Sequence, residues 1–301
     1  MSGAGPRIPV FVNAGAGTSP ASAAALARSL GEDRVSVRTV APHRLETEIA
    51  GAIAGRHRTI GVAGGDGTLR TAASVLAGTS VALLPVPTGT LNTFARRVGI
   101  NSVADAAAAL RRGRTIAVPM GTANDEVFLN TLTIGEYSRV VRMRESWRAR
   151  AGKWPAALFA FVATCATLRR VRVTLTVDGH TFTRRTPFLW VGIGWGSFPR
   201  VHEARERRRH PDLELAIIRS SSRLAAAGFV LRMGWRMLRG DRPVRDRLLE
   251  VLHSRHISLD SHHRVDATAD GEVLRLQPPI TVGIRDDALR IVALDRNGTE
   301  H

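Results

Sequence analysis

The 301-residue chain has one cysteine, Cys165, and one lysine, Lys153. A lone thiol excludes an internal disulfide framework and suits a reducing compartment; its apolar neighbours Ala163 and Ala166 describe an inert, buried group. No apolar run reaches the roughly 20 residues that a membrane span requires. The longest nearly uncharged stretch, Pro155 to Leu168, is bounded by Lys153 and by Arg169 and Arg170, and reads as a buried or interfacial helix. Met1 to Pro9 lacks the apolar core of a signal peptide, so a cytoplasmic location is expected. Zinc-binding spacing is also missing. His202 and His210 are separated by Glu203, Glu206 and several arginines, whose charge opposes a cation, and adjacent His262 and His263 would point to opposite faces of a strand. There is no internal repeat and no low-complexity linker.

What is present in excess is arginine. Lysine and arginine together number 43 against 26 acidic residues, for a formal charge of +17. A high-GC coding bias explains the choice of arginine over lysine but not the excess over acidic residues. Such a charge predicts attraction to an anionic surface, either nucleic acid or acidic lipid headgroups. Neither a helix-turn-helix nor an aromatic stacking platform is evident, so nucleic acid is not the expected partner. The length and the 44% hydrophobic content suffice for two domains with real cores.

The first part of the chain alternates strands and helices. Strands are expected at Val10 to Val12, Val35 to Val40, Thr59 to Val62 and Val81 to Val86. Helices are expected from Ser19 and Pro20 to Leu30, and over Arg44 to Ala54, Leu69 to Leu76, Thr93 to Val98 and Ala104 to Leu110. This pattern predicts right-handed crossovers and a doubly wound parallel sheet, with ligands beyond the carboxyl ends of the strands. After Gly113 the pattern changes to short strands: 116–118, 127–132, 171–177, 186–193, 213–218, 256–259, 264–267 and 279–284. Asp178-Gly179 is a hairpin turn, and helical stretches fall near 145–168 and 221–239. The expected fold class is therefore α/β plus β. An N-terminal doubly wound domain takes residues 1–115 and, through a last strand over 289–293, residues 288–301. A mostly antiparallel β-sandwich takes residues 116–287.

The chain is organised around Gly64-Gly65-Asp66-Gly67-Thr68, between the third strand and its helix. Glycines let a backbone approach a polyphosphate, and the helix's first NH groups point at the anion. Asp66 would be repelled by phosphate unless a cation sat between them, which argues for Mg²⁺ and a nucleotide triphosphate. Two further loops lie at equivalent strand ends. One is Asn13-Ala14-Gly15-Ala16-Gly17; the other is Pro87 to Asn92, where Gly89 and Thr90 offer backbone NH groups and a hydroxyl. Asn92 reads either as a helix cap or as a nucleotide contact.

Gly64 to Thr68 resembles the GGDGT signature shared by diacylglycerol, sphingosine-type and NAD kinases. Pro87-Thr88-Gly89-Thr90-Leu91-Asn92-Thr93-Phe94-Ala95-Arg96 is similar to the P-x-G-T-x-N-x-F-A-R element of the bacterial diacylglycerol kinase-like lipid kinases, which NAD kinases lack. The similarity continues through Phe128-Leu129-Asn130, Ile134-Gly135, Tyr137, Arg144-Glu145, Gly152-Lys153 and Asp270-Gly271-Glu272. It implies an ATP- and Mg²⁺-dependent lipid kinase, with diacylglycerol as default acceptor and phosphatidic acid as product. By the resemblance, ATP is held by Asn13 to Gly17, Thr39, Gly64 to Thr71 (with Leu69, Arg70 and Thr71), Gly89, Thr90 and Asn92. Asp66 organises the metal, Glu272 takes the proton of the lipid hydroxyl, and Asp270 supports it.

The chain departs from the family at Ala14 and Ala16, at Arg70 and Thr71 (where Asn-Glu is common), and at Thr93 (where Asp is common). Residues 205–212 lack the glycine- and aspartate-rich segment associated in relatives with a structural Mg²⁺. Asn124 to Val127 superficially resembles a ribose-holding segment of NAD kinases but reads better as a turn before Phe128.

Arg139, Arg142, Arg144, Arg148 and Arg150 form a basic cluster with Glu145, Trp147 and Trp154. Along 224–239, Arg232, Arg236 and Arg239 share one helical face, and Ala227, Leu231, Trp235 and Leu238 another, a pattern that suits either a membrane interface or packing on the sandwich. The expected partners are the lipid substrate, a peripherally bound anionic membrane surface on the cytoplasmic side, and a second copy of the chain in a homodimer. The rival readings are an NAD kinase and a catalytically weak basic protein that binds lipid or nucleic acid.

Overall fold

The computed structural model describes residues 7–15, 23–135, 171–194, 212–219, 228–229, 248–261 and 265–294. The chain forms two compact units, residues 1–120 with 286–301, and residues 121–285.

In the first unit, strands β1 (Ile8–Asn13), β2 (Val35–Val40), β3 (Thr59–Gly64) and β4 (Ala82–Pro87) pair in parallel in the order β2-β1-β3-β4. The closing half of β16 (Ile280–Ala293) adds to the edge of β4, again in parallel. Every residue of β4 is buried, as expected for a parallel strand covered on both faces. Helices α1 (Ala23–Leu30), α2 (Leu45–Ala54), α3 (Asp66–Leu76), α4 (Thr93–Arg97) and α5 (Val103–Arg112) connect the strands. Along α3 the buried residues Leu69, Ala72, Ala73 and Leu76 recur at i, i+3, i+4 and i+7, the stripe that seats a helix on a sheet.

Helix α2 begins at Leu45 rather than Arg44, and the starts of α3 and α5 also differ from expectation. Helix α3 begins at Asp66 rather than Leu69, because the amide of Leu69 already bonds to the Gly65 carbonyl at 3.0 Å. Asp66, Gly67 and Thr68 of the GGDGT stretch therefore open the helix, with Gly65 as its N-cap. Helix α5 is opened by a reciprocal box: the Asp105 amide donates to Ser102 Oγ, and the Ser102 amide to Asp105 Oδ2, both at 3.1 Å.

The second unit is antiparallel. The chain enters it along β5 (Arg114–Ala123), which turns back into β6 (Glu126–Phe128). Then follow β7 (Thr131–Gly135), β8 (Val171–Val177), β9 (His180–Thr186), β10 (Phe188–Ile193), β11 (Leu213–Ile218), β12 (Leu249–Ser254), β13 (His256–Asp260), β14 (Val265–Ala269) and β15 (Glu272–Leu276). One sheet has the order β12-β11-β10-β7-β14-β15; facing it, β13 lies between the opening half of β16 and the β8-β9 hairpin. Alternate residues of both sheets, among them Leu132, Val191 and Leu215 from one and Leu175, Ile257 and Val282 from the other, form a common core.

The strand expectations are refined where local chemistry interrupts or extends a run. Residues 186–193 make two strands, because Pro187, without an amide hydrogen, separates β9 from β10. Residues 127–132 break at Leu129-Asn130. Residues 280–293 form one continuous strand of 14 residues, not two. Strands β12 and β15 were not expected. Asp178-Gly179 does turn the β8-β9 hairpin, with φ of 50° and 80°. The expected helices near 145–168 and 221–239 lie outside the described residues, apart from Gly228 and Phe229. So do the 139–150 arginine cluster, Cys165 and the four numbered histidines at 202, 210, 262 and 263. Among the described residues no helix is long and apolar enough to cross a membrane.

Arg184 of β9 grips Glu250 of β12 with two hydrogen bonds, Nε to Oε2 and Nη2 to Oε1, each 3.1 Å. This fork holds the Glu250 carboxyl below its ordinary range, against an opposing effect of burial, and Arg219 adds a weaker attraction at 3.7 Å. A folded-state pKa below the unfolded one contributes stability above the unfolded value, and that contribution is lost as pH falls through the folded value. Glu250→Gln is therefore expected to lower unfolding free energy by about 1 kcal/mol at neutral pH. In denaturant titrations the difference should shrink progressively once the pH falls below the ordinary carboxylate range. A difference that stays constant into acid would contradict the fork.

Candidate nucleotide and catalytic sites

The carboxyl ends of β1, β3 and β4 are flush. Val12 stands opposite Ala63, and Gly64 opposite Pro87, so the three loops that follow emerge side by side. Two hydrogen bonds stitch them. Asn13 Nδ2 donates to Thr68 Oγ1 at 2.7 Å, joining the β1 loop to α3, and the Thr88 amide donates to the Gly64 carbonyl at 3.3 Å. Asn13 also folds its own loop, its Oδ1 accepting the Gly15 amide at 2.8 Å.

Gly65 and Gly89 stand face to face. A Cβ on Gly89 would fall 3.0 Å from the Gly65 nitrogen and 2.8 Å from Asn92 Oδ1, so no larger residue fits without displacing the opposite loop. Gly65 is the N-cap of α3 in extended conformation and, as glycine, brings no side chain to cap it. A helix N-terminus without a side-chain cap, approached by glycine backbone, is a cradle for phosphate oxygens. The residues thus suit the polyphosphate of a nucleotide.

Asn92 adopts the left-handed conformation, φ 50°, and its side chain does not cap α4. It turns back instead: Oδ1 accepts the Gly89 amide at 3.0 Å, and Nδ2 donates to the Gly89 carbonyl at 2.9 Å. Asn92 therefore sets the shape of the glycine loop. The opening amides of α4 go to Asp66, whose Oδ2 accepts Thr93 N–H at 3.0 Å and Oδ1 accepts Phe94 N–H at 2.8 Å. Asp66 is the cap of a helix that starts 27 residues later. Its negative charge is already met by two amides at the positive end of a helix, before any cation is considered.

This bears on Mg²⁺. Among the described residues no three His, Cys, Asp or Glu side chains are grouped to hold a metal. The described cradle thus offers phosphate ligands without a carboxylate cluster for a divalent ion.

Of the other residues expected at the nucleotide, Thr39 is exposed on β2 opposite Val12, near the same strand ends. Ala14 is tied to Val40 by its amide at 3.0 Å, Leu69 is buried in the core, and Arg70 and Thr71 are half-buried on α3. Thr90 lies in the Gly89-Asn92 loop, next to Leu91, which is 68% exposed. Ala16 and Gly17 lie outside the described residues, as do Ser19 and Pro20.

In the second unit, Asp270 and Gly271 form the two-residue turn between β14 and β15, with φ of 50° and 93°, and Ala269 pairs with Glu272 across it. The Asp270 carboxylate accepts three backbone amides: Leu129 through Oδ2 at 2.6 Å, and Asn130 and Thr131 through Oδ1 at 2.8 and 3.0 Å. This is why the 127–132 run breaks at Leu129-Asn130. Asp270 is thereby a positioning residue, and Glu272 stands exposed at the start of β15. Asn124 and Asp125 turn β5 into β6, and Asn124 is spent on Thr281 and Gln277, which makes Asn124 to Val127 a hairpin.

The two aspartates stand out in the sequence; their partners do not. The clamps on Thr93 and Phe94, and on Leu129 to Thr131, are made to backbone, which leaves no residue-type signature.

Asp270→Ala leaves three amides of a largely buried segment without their acceptor. The expected cost is about 2–4 kcal/mol, read by denaturant unfolding, with Asp270→Asn recovering part of it. A loss under about 0.5 kcal/mol would mean that the turn holds itself.

Comparison with known proteins agrees with this geometry. Residues 7–123 match the diacylglycerol kinase catalytic domain. A probable lipid kinase, YegS-like, of Pseudomonas syringae pv. syringae is 35% identical over 150 residues, 49% of this chain and 48% of that protein. Its counterpart in Pseudomonas putida is 33% identical over 150 residues, 49% and 50% of the two chains. The matched region thus spans about half the length of these relatives. A diacylglycerol kinase structure from Bacillus anthracis str. Sterne superimposes with a TM-score of 0.67 at 16% identity, covering 96% of this chain and 97% of that one. Another structure from the same organism gives 0.72 at 18% identity over the same shares. At those identities the likeness is one of fold. Residues 7–123, which carry the GGDGT turn and the Pro87 to Arg96 loop, are thus similar to the diacylglycerol kinase catalytic domain.

Proposed function

We propose that the protein transfers the γ-phosphate of ATP to the hydroxyl of a membrane lipid. The observation that carries this reading is the phosphate cradle: Gly65 against Gly89 at the open N-terminus of α3, shaped by Asn92 and clamped by Asp66. The lipid hydroxyl oxygen attacks the γ-phosphorus, a new P–O bond forms as the bond to the β-phosphate oxygen breaks, and ADP departs. The hydroxyl proton passes to the Glu272 carboxylate. Asp270 acts on Glu272 only by fixing the turn that carries it. A divalent ion enters with the nucleotide's phosphates, and no protein group described in the cradle is assigned to it.

Diacylglycerol, giving phosphatidic acid, is the default acceptor by resemblance. The charge of +17 favours work at an anionic membrane surface, where the acceptor resides. The NAD kinase reading is weaker, since Asn124 and Asp125 form a hairpin turn and Asn124 is engaged by neighbouring backbone.

The test is transfer of label from γ-labelled ATP into a total bacterial lipid extract, with NAD as a parallel acceptor. Labelled lipid is expected with the wild type, and Glu272→Gln should lower its rate by about 10²–10⁴. Equal labelling by Glu272→Gln would remove Glu272 as base. Label in NAD alone would move the protein to the other enzyme class, and label in neither acceptor would favour a lipid-binding role.

A further inference from the structure

The cradle occupies the carboxyl ends of the parallel strands, and the amino ends of the same strands carry a separate concentration of charge. Arg7, Arg34 and Arg58 stand immediately before β1, β2 and β3 in turn. The pairing register sets them in one row. Ile8 pairs with Val35, and the Ile8 amide donates to the Arg34 carbonyl at 2.8 Å. Val10 pairs with Gly61, which makes Arg7 level with Arg58, three residues back on each strand. Neighbouring strands lie about 4.8 Å apart, so the three backbone positions fall within about 10 Å. Alternation puts all three on one face of the sheet, opposite that of Val10, Val35 and Ala63, which pack with α1 and α5. The Arg38 guanidinium over the Phe11 ring, 5.2 Å from its centroid, agrees with this phase, because the two lie four residues beyond Arg34 and Arg7.

Arg56 adds a fourth guanidinium, in the link from the end of α2 into β3. All four residues are exposed. Carboxylates do not balance them. Asp33 approaches Arg34 only to 3.9 Å, and among the described residues Arg7, Arg56 and Arg58 make no ion pair. Like charges opposite one another on adjacent strands destabilise a sheet, and the carboxyl end of α2 offsets only about half a charge. An anion is therefore gained here without first breaking a protein ion pair. A guanidinium fork grips two phosphate oxygens at once and stays charged at any working pH. Adjacent forks suit a compact group of phosphate charges better than a single carboxylate.

We propose that the row of Arg7, Arg34 and Arg58, with Arg56, is a second anion site at the opposite end of the sheet from the nucleotide cradle, and that it binds clustered phosphate groups. Two sources carry that chemistry: a free oligophosphate, and phosphate headgroups gathered on a bilayer. The site is separate from the transfer reaction, and none of its residues belongs to the cradle.

The experiment measures, on the full chain at constant ionic strength, affinity for tripolyphosphate by calorimetry and co-sedimentation with phosphatidylcholine vesicles with and without phosphatidic acid. The key variant combines Arg7→Gln with Arg58→Gln; its control combines Arg185→Gln with Arg275→Gln, two exposed arginines of the second unit. Tripolyphosphate that also enters the cradle is common to all variants, so the difference between them reports the row. The key variant is expected to lose about tenfold or more in one of the two bindings, with the control within about twofold of wild type. Loss with tripolyphosphate supports the free source, and loss confined to phosphatidic acid vesicles supports the headgroup source. Without any anion the key variant should melt at or above the wild-type midpoint, since a like-charge contact is gone. A midpoint lowered by more than about 3 °C would make the row structural and overturn the proposal. Both bindings equal to wild type, losses matched by the control, or citrate bound as tightly as tripolyphosphate would overturn it as well.

Discussion

The interaction on which the first unit's site depends is the pair of hydrogen bonds from Thr93 and Phe94 to the Asp66 carboxylate. They join the first turn of α3 to the first turn of α4, and the Gly65-Gly89 approach lies between these two points. Without the clamp, two glycine-containing loops would have to find their spacing from backbone stiffness alone, and glycine supplies little of that. Asn92 completes the device from inside the second loop, closing on Gly89 from both its amide and its carbonyl side. The cradle is thus built before any ligand arrives, which lowers the ordering cost of binding.

The second unit uses the same physical device. Asp270 sits in a left-handed turn and draws in the amides of Leu129, Asn130 and Thr131, from a segment 139 to 141 residues earlier in the chain. In both units a motif aspartate, next to a glycine, spends its charge on backbone amides far away in sequence. Each carboxylate is therefore worth more as architecture than its place in a catalytic motif suggests. The proposed chemistry is assigned to the neighbour of each: the Gly65 turn beside Asp66, and Glu272 beside Asp270.

Much of this could be read from the chain. The parallel first unit was legible because β-branched runs alternate with alanine-rich helical segments, and Asp178-Gly179 announced its hairpin. The loops at 13–17, 64–68 and 87–92 were legible as phosphate-type turns because each follows a strand. Strand ends were harder. The break at Pro187 needed only a missing amide hydrogen, but the break at Leu129-Asn130 depends on Asp270, and no local pattern carries that information. The extent of α3 is hidden in the sequence for a related reason: Gly65 and Gly67 weaken a helix by propensity, yet the helix starts there because the Gly65 carbonyl already has the Leu69 amide. The role of Asp66 illustrates the same limit. Repulsion between a carboxylate and phosphate suggested a bridging cation, while the partners that answer the repulsion lie in another loop.

Amide hydrogen exchange at Thr93 and Phe94 in the ligand-free protein tests the central claim most directly. The account predicts that both amides are protected in the wild type and exchange at least about tenfold faster in Asp66→Ala, while the α3 amides beyond the first turn keep their protection. Unprotected Thr93 and Phe94 amides in the wild type, or protection unchanged in Asp66→Ala, would contradict it: the two loops would then not be held by Asp66, and the cradle would have to be assembled by the nucleotide.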